Sequence, residues 1–109
     1  MDEPAALAAF SALSQETRLR IVRLLVQTGP AGMAAGALGE ALGGASSSRL
    51  SFHLTHLEHA GLIASRREGR FIIYTAVYGA LAGLIEFLTR DCCQGRPEIC
   101  GAFAPLVCK

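Results

Sequence analysis

Hydrophobic residues recur every three or four positions along most of the chain, a spacing that predicts five amphipathic helices. Four of these helices precede a pair of short extended runs, and the fifth follows that pair. The predicted helices and the apolar residues that mark them are a short first helix with Leu7, Phe10 and Leu13, residues 15–27 with Leu19, Val22, Leu25 and Val26 on one face, residues 33–42 with Leu38 and Leu42 inward, residues 46–59 with Leu50, Leu54 and Leu57 inward, and residues 78–89 with a stripe of Leu81, Leu84, Ile85, Phe87 and Leu88.

Glycine, proline and serine mark the ends of these helices. Gly29 and Pro30 end the second helix and Gly61 ends the fourth, because glycine accepts a left-handed backbone and proline cannot continue a helix. The glycine pair at residues 43–44 ends the third helix. Three serines at residues 46–48 then offer hydroxyl groups that cap the start of the fourth helix.

The two extended runs, residues 62–66 and 70–76, are joined through Arg67, Glu68 and Gly69, which is typical of a β-hairpin. The element order is therefore α-α-α-α-β-β-α. Two helices joined by a tight, glycine-containing turn and followed by a hairpin make a winged helix-turn-helix. We expect a mainly α fold with a small β-hairpin.

Composition adds an expectation about assembly. Of the 109 residues, 51% are hydrophobic and 17% are charged. One small domain has too much surface for its volume to hide so much apolar area, so we expect a homodimer. A membrane span needs about 20 consecutive apolar residues, and no such run occurs. The acidic start, MDEP, is unlike a secretory signal, and we therefore expect a cytoplasmic protein.

The charge distribution singles out the fourth helix and the hairpin. The formal net charge is only +1. Residues 46–75 nevertheless contain four arginines against two glutamates, which is a modest indication of phosphate contact, although a solvated face gives the same pattern. The four arginines are Arg49, Arg66, Arg67 and Arg70.

The fourth helix would enter the major groove of DNA by its N-terminus. Turning the helix by about 100° per residue puts its leucines inward and Arg49 on the flank. The residues left outward are Ser47, Ser48, Ser51 and Phe52. Short hydroxyls and arginine can contact base edges or phosphates, and phenylalanine can contact a thymine methyl group. Alternatively, the serines are only caps and the phenylalanine is only core. The predicted DNA-binding residues are Ser47, Ser48, Arg49, Ser51 and Phe52 on the helix and Arg66, Arg67 and Arg70 on the hairpin.

Several stretches together resemble the ArsR/SmtB family of metal-responsive repressors. They are ETRLRI at residues 16–21, SRLSFHLTHL at 48–57, AGLI at 60–63 and RREGR at 66–70, with Tyr74. The resemblance covers nearly all of the chain up to about residue 90. It implies a homodimer built through the first and last helices that binds double-stranded operator DNA at an inverted repeat. Residues 1–90 are then the DNA-binding and dimerisation domain, and residues 91–109 a cysteine-containing sensing tail.

All four cysteines lie in the last eighteen residues, which favours ion binding or redox chemistry over a structural disulfide framework. The familiar sites of the family are missing: residues 37–42 lack the Cys-x-Cys pair of arsenic sensors, and residues 78–87 lack the Asp and His ligands of zinc sensors. Residues 91–100 resemble the C-terminal Cys-Cys…Cys segment of an arsenic-responsive subgroup. We expect Cys92, Cys93 and Cys100 to bind trivalent arsenic as the inducer, or antimony(III), because soft thiolates select soft ions.

Other interpretations stay open. The cysteines could form a thiol redox switch or bind zinc or another soft metal, and Cys108 is either spare or a further ligand. His53, His56 and His59 are spaced three apart, which could bind a metal, but polar packing or phosphate contact is the more common role. The chain has no Cys-x-x-Cys, no glycine-rich phosphate loop and no plausible catalytic triad, so we do not expect an enzyme.

Overall fold

The computed structural model describes residues 1–44 and 46–90. Within these ranges the chain forms five α-helices, a short 3-10 helix and three strands, in the order of a winged helix-turn-helix. The helices are α1 (Glu3–Leu13), α2 (Glu16–Thr28), α3 (Ala35–Ala41), α4 (Ser47–His59) and α5 (Tyr78–Thr89), and the strands are β1 (Met33–Ala34), β2 (Ile63–Glu68) and β3 (Phe71–Ala76). The predicted fold class and helix order are confirmed.

The sheet has the order β1-β3-β2 and is antiparallel throughout. β2 and β3 form the predicted hairpin, in a register that runs from the Ile63–Ala76 pair to the Glu68–Phe71 pair. β1 was not predicted, because residue 33 was expected to begin a helix. Met33 instead pairs with Tyr74 across the sheet, and α3 begins only after this short strand.

β1 approaches β3 so closely that the residue before it has to be glycine. Gly32 has φ of 71°, and a Cβ at this position would lie 2.5 Å from the carbonyl oxygen of Tyr74. Just upstream, the 3-10 helix (Gly29–Ala31) connects α2 to this tight segment. The end of α2 and the hairpin are therefore held together through a short, crowded connection.

The protomer core lies between α2, α4 and the base of the hairpin. The three leucines predicted to point inward from α4 are all buried, as are Val22 and Leu25 of α2. The described residues that are both large and fully buried are Ile21, Leu25, Leu38, Leu54, Leu57 and Leu62. One side of α4 is thus fixed by the core, which leaves its opposite side to solvent.

The first helix, predicted from the spacing of Leu7, Phe10 and Leu13, is confirmed, and it buries its alanine side. Leu7 is 61% exposed and Phe10 is 37% exposed, whereas Ala6, Ala9 and Ala12 are buried against the rest of the protomer. α1 carries apolar residues on both sides, and the alanine side packs inward because its small side chains allow close helix approach. The larger side chains of α1 are left on the surface.

α2 and α5 add further exposed apolar residues next to those of α1. Leu19 and Val26, predicted to share one face of the second helix with Val22 and Leu25, are 46% and 41% exposed, and Leu88 of α5 is 61% exposed. A groove of about 440 Å³ runs between α1, α2 and α5. This apolar groove is lined by Leu13, Leu19, Val22, Arg23, Val26, Gln27, Leu81, Leu84 and Ile85.

The predicted sensing tail, with Cys92, Cys93, Cys100 and Cys108, lies outside the described residues. In the part of the chain that the structure describes, no helix combines the length and the apolar character needed to cross a membrane. Within the same residues, His, Cys, Asp and Glu side chains form no group of three suited to a metal ion.

Candidate nucleic-acid interface

The N-terminus of α4 is capped and open to solvent. The hydroxyl of Ser46 accepts a hydrogen bond from the backbone N–H of Arg49 at 3.3 Å, as expected for an N-cap residue. Ser47, Ser48 and Arg49, which form the first turn, are all exposed. The partial positive charge of the helix end and the Arg49 guanidinium therefore face solvent together, an arrangement that favours phosphate.

The next turn of α4 continues this exposed face. Ser51 is exposed, and Phe52 keeps 64% of its surface accessible. The Phe52 ring meets the rings of His53 and His56 edge-on, with centroids 5.7 Å and 6.3 Å away. The alternative in which Phe52 belongs to the core is thus excluded, and so is the alternative in which every serine is a cap, since only Ser46 makes the capping bond.

His53 turns the other way and is 8% exposed. Its Nδ1 lies 3.1 Å from Nη1 of Arg18, and the Nε of Arg18 donates to the backbone carbonyl of Ala12 at 2.7 Å. Burial lowers the pKa of His53 from its ordinary value of 6.5, and the charge of Arg18 lowers it further. His53 therefore has the polar packing role that was favoured over metal binding.

Arg18 was missed by sequence reasoning, although a signal was present. It lies three and four positions before Ile21 and Val22, on the inward face of α2. The side chain is buried, at 9% exposure. An arginine on an apolar helical stripe indicates a buried polar partner, because a buried cation is costly unless it is hydrogen-bonded.

The hairpin carries the other predicted arginines. Gly69 takes φ of 62° at the tip, and Arg67 donates from its Nε to the Gly69 carbonyl at 3.3 Å, which stiffens the turn. Arg70 is exposed and makes no side-chain hydrogen bond or ion pair with any described residue. The hairpin of β2 and β3 is the wing of the fold, and Arg70 is thus the wing arginine with the most freedom to reach a phosphate.

Arg66 lies differently from the other two wing arginines. Its guanidinium donates to the carbonyls of Pro30 at 3.2 Å and Ala31 at 2.9 Å, and its Nε pairs with Glu68 at 2.5 Å. These contacts join β2 to the 3-10 helix. The predicted phosphate contact of Arg66 stays a prediction, but its donors are already occupied within the protomer.

The chain is similar to known proteins in sequence and in structure. A helix-turn-helix domain family matches residues 13–66. The transcriptional activator HlyU of Vibrio cholerae is 33% identical over 91 residues, which are 84% of this chain and 81% of HlyU. The helix-turn-helix match covers α2 to α4, the elements that build the candidate interface.

Solved structures agree in fold. An ArsR-like transcriptional regulator from Rhodococcus sp. RHA1 matches with a TM-score of 0.72 and 27% identity, over 97% of this chain and 96% of its own. A possible transcriptional regulator for arsenical resistance matches with a TM-score of 0.60 and 34% identity, over 72% and 77% of the two chains.

A third structure is the homodimeric winged helix-turn-helix DNA-binding domain of a possible ArsR-family regulator from Mycobacterium bovis. It matches with a TM-score of 0.64 and 28% identity over 81% of each chain. These matches confirm the resemblance at the level of the family, while the arsenic-responsive subgroup stays a prediction. The chain belongs to the ArsR/HlyU family of winged helix-turn-helix transcriptional regulators.

Proposed function

We propose that the protein is a homodimeric repressor that binds an inverted-repeat operator and releases it when C-terminal thiolates bind trivalent arsenic. The observation that carries the DNA-binding part is the division of α4 into two sides. Its leucines are buried in the core, and its opposite side exposes serines, an arginine and a phenylalanine. A surface of this composition suits a DNA groove better than it suits water.

In the proposed complex, α4 enters the major groove by its capped N-terminus. Ser47, Ser48 and Arg49 contact phosphates or base edges, and Ser51 lets the helix approach closely because its side chain is short. Phe52 contacts a thymine methyl group. Arg67 and Arg70 of the hairpin reach a phosphate or the minor groove beside α4.

The apolar groove between α1, α2 and α5 is the proposed dimer interface. It contains large side chains that a soluble monomer would leave in water, such as Leu19 and Ile85. The M. bovis relative is named as a homodimer, which supports the same assembly here. A two-fold dimer presents two recognition helices about one DNA turn apart and therefore reads an inverted repeat.

The proposed inducer site consists of Cys92, Cys93 and Cys100. The donor set suits arsenic(III) or antimony(III), because these soft ions carry a lone pair and favour three thiolates in a pyramidal arrangement. Arg90 and Arg96 favour the thiolate forms of the neighbouring cysteines. A relative named as a possible regulator for arsenical resistance supports this choice of ligand.

The tail directly follows α5, which borders the apolar groove. Ligand binding there can change operator affinity only if the bound dimer favours a different placement of its two α4 helices. A coupling of about 1–3 kcal/mol, typical of allosteric proteins, changes operator affinity by about 5- to 150-fold.

The test uses reduced, metal-free protein and a duplex selected by the protein from a randomised library. Arsenite is titrated into the complex while fluorescence anisotropy follows DNA release. Cys93→Ser should abolish the response, and Cys108→Ser is the matched control, expected to respond like the parent. In vitro transcription from the same duplex then reads the sense of regulation, since the V. cholerae relative is named an activator.

Failure of arsenite to release DNA from the parent overturns the arsenic assignment. Release by peroxide under metal-free conditions then supports a thiol redox switch, and release by zinc supports a zinc sensor. Absence of a selected duplex overturns the DNA-binding proposal itself. Equal arsenite responses of Cys93→Ser and the parent would move the site away from the cysteine pair.

A further inference from the structure

A buried set of hydrogen bonds connects α1, α2 and α4 beneath the exposed face of α4. The Nη1 of Arg18 (α2) donates to Nδ1 of His53 (α4) at 3.1 Å, and the Nε of Arg18 donates to the Ala12 carbonyl near the end of α1 at 2.7 Å. Both side chains are at least nine-tenths inaccessible. These hydrogen bonds are therefore shielded from water. In such surroundings a hydrogen bond is electrostatically stronger, and a polar group that loses its partner is costly to the folded state.

We infer that Arg18 and His53 are positioning residues for DNA binding, which fix α4 against α1 and α2 and hold it only while the His53 ring is uncharged. This inference rests on the proposed function, in which α4 reads DNA. Leucines on α4 define its depth in the core, but apolar contacts are not directional. A hydrogen bond from a planar guanidinium adds a defined rotation about the helix axis.

The position of His53 in α4 makes this rotation relevant to DNA. Phe52 is its neighbour in the chain and lies on the exposed side, with its ring in edge contact with the His53 ring. Ser51 is the next exposed residue toward the N-terminus. Any change in the His53 contact therefore displaces the two exposed side chains that stand at the centre of the proposed interface.

The requirement for an uncharged ring follows from donor chemistry. Arginine has only donors, so Nδ1 of His53 has to accept, and the single ring proton then resides on Nε2. If Nδ1 were also protonated, its N–H would face the N–H of Arg18, and no hydrogen bond could form between them. The charged or titratable groups that act on His53 are Arg18 from α2 and Arg49 and His56 from α4, and no described carboxylate is among them.

The described residues of the other elements do not stabilise a charged His53 ring either. α1 contributes the backbone carbonyl of Ala12, and this oxygen accepts from Arg18 rather than from His53. No nearby anion in the described part of the chain therefore stabilises an imidazolium at this site. Protonation has to break the contact with Arg18 and expose the ring, which releases the positional constraint on α4.

The contact between Arg18 and His53 should stabilise the protein less in acid. Burial, with help from Arg18, lowers the pKa of His53 below 6.5 in the folded protein, whereas the unfolded chain keeps the ordinary value. The contribution of the pair to stability is therefore fully present above about pH 6.5 and is lost as the pH falls through the lower, folded pKa. Operator affinity should fall in the same range.

An exposed histidine that touched a phosphate would behave in the opposite way. Its protonation would add a cation at the DNA surface and strengthen binding in acid. His59 is exposed on the same helix and serves as the matched control. The two roles thus predict opposite changes in affinity for the same change in pH.

The test compares operator affinity at about pH 7.5 and about pH 5.5 for the parent, His53→Asn, His53→Leu and His59→Asn. The Asn oxygen stands in for Nδ1 as an acceptor and cannot be protonated in this range. The selected duplex is the probe, and melting temperatures at both pH values confirm that each variant is folded.

The parent should lose affinity relative to His53→Asn between the two pH values, by at most about tenfold, because a single group with a folded pKa below 6.5 gives no larger loss over this range. His53→Leu should bind weakly at both pH values, and His59→Asn should keep the loss seen in the parent. A constant ratio between the parent and His53→Asn, or a gain of the parent over it in acid, overturns the inference.

A spectroscopic measurement separates this inference from the proposed function. Nitrogen chemical shifts of the His53 ring in the free protein should report the Nε2-protonated tautomer and a pKa below 6.5, and Arg18→Lys should change both. If the protein selects no duplex, the proposed function fails whatever these spectra show. If it binds DNA but His53 titrates like an exposed ring, only the present inference fails.

Discussion

At the scale of single residues, the inward and outward sides of α4 could be predicted well from the sequence. Leu50, Leu54 and Leu57 occupy one stripe and are buried, and the opposite side is polar apart from Phe52. This worked because the core of the protomer alone decides which side is buried. The spacing of Arg18 indicates a buried polar role, but the partners of Arg18 and Arg66 could not be predicted, because they are brought into reach only by the folding of distant elements.

Phe52 should contribute to base selection without contributing to stability. In the parent, replacing the contacted thymine of the selected duplex by deoxyuridine should weaken binding about fourfold, the worth of one buried methyl group at about 0.8 kcal/mol. Phe52→Ala should bind both duplexes equally. Its free energy of unfolding should change by less than about 0.5 kcal/mol, because the ring is 64% exposed.

The matched control is Phe71→Ala on the wing, where the ring is 58% exposed. This variant should retain the preference for thymine. Competition binding with the two duplexes measures the preference, and urea unfolding measures the stability. Persistence of the thymine preference in Phe52→Ala would show that the methyl group is contacted from another position.

Gly32 should be far less tolerant of a side chain than Gly29, although both have strongly positive φ angles of 71° and 81°. A Cβ at Gly32 would meet the Tyr74 carbonyl at 2.5 Å, whereas nothing lies within 4 Å of one at Gly29. Gly32→Ala should therefore cost about 2 kcal/mol more in free energy of unfolding than Gly29→Ala. Urea unfolding of the two variants provides the comparison, and equal costs would mean that β1 can shift.

At the scale of elements, the helices were predictable and the short strand was not. β1 contains only Met33 and Ala34, and its identity depends on pairing with β3 about forty residues later. Local periodicity carries no information about such a partner. α1 illustrates a different limit, because both of its sides are apolar, and periodicity cannot tell which apolar side faces the protomer core.

The arginines of the wing should have different roles: Arg70 contacts DNA, and Arg66 holds β2 in place. Arg70→Ala should lower the slope of log affinity against log salt concentration by about 0.9 for each phosphate that the variant no longer neutralises. Arg66→Ala should act by loosening β2 from the carbonyls of Pro30 and Ala31. The effect of Arg70→Ala should therefore be smaller when Arg66→Ala is already present, because the two residues act on the same phosphate interaction.

Operator binding of both single variants and the double variant over a range of salt concentrations measures this coupling. Simple additivity of the two substitutions would contradict a supporting role for Arg66. An independent decrease of salt dependence in Arg66→Ala would instead return Arg66 to the phosphate-binding role that the sequence predicted.

At the scale of the whole molecule, the exposed apolar side chains of α1, α2 and α5 account for the hydrophobic composition. The sequence predicts surplus apolar surface and association, but it does not separate Leu19 and Val26 from the core residues Val22 and Leu25 on the same helical face. Leu19 and Val26 are 46% and 41% exposed and line the apolar groove. A single chain cannot distinguish its own core from a surface intended for a partner, because both are encoded by the same residue types.

Ile85→Arg should weaken the proposed dimer. Burying an unpaired guanidinium in an apolar interface is costly, and we expect the dimer dissociation constant to rise by more than about tenfold. Ile72→Arg is the matched control, because both isoleucines are 40% exposed and Ile72 lies on the wing, away from the groove. Sedimentation equilibrium distinguishes the two, and dissociation by both variants or by neither would contradict the proposed interface.

The alanine side of α1 has a consequence for how the protein behaves at low abundance. Ala6, Ala9 and Ala12 give the protomer only methyl groups to bury, while Leu7 and Phe10 stay outside. A protomer without its partner therefore gains little from keeping α1 folded, and by mass action the unfolding temperature should rise with protein concentration. Below the dimer dissociation constant, operator occupancy would follow the square of the protomer concentration. A twofold dilution of the regulator would then lower occupancy about fourfold, a nonlinear response that follows from binding DNA as a dimer.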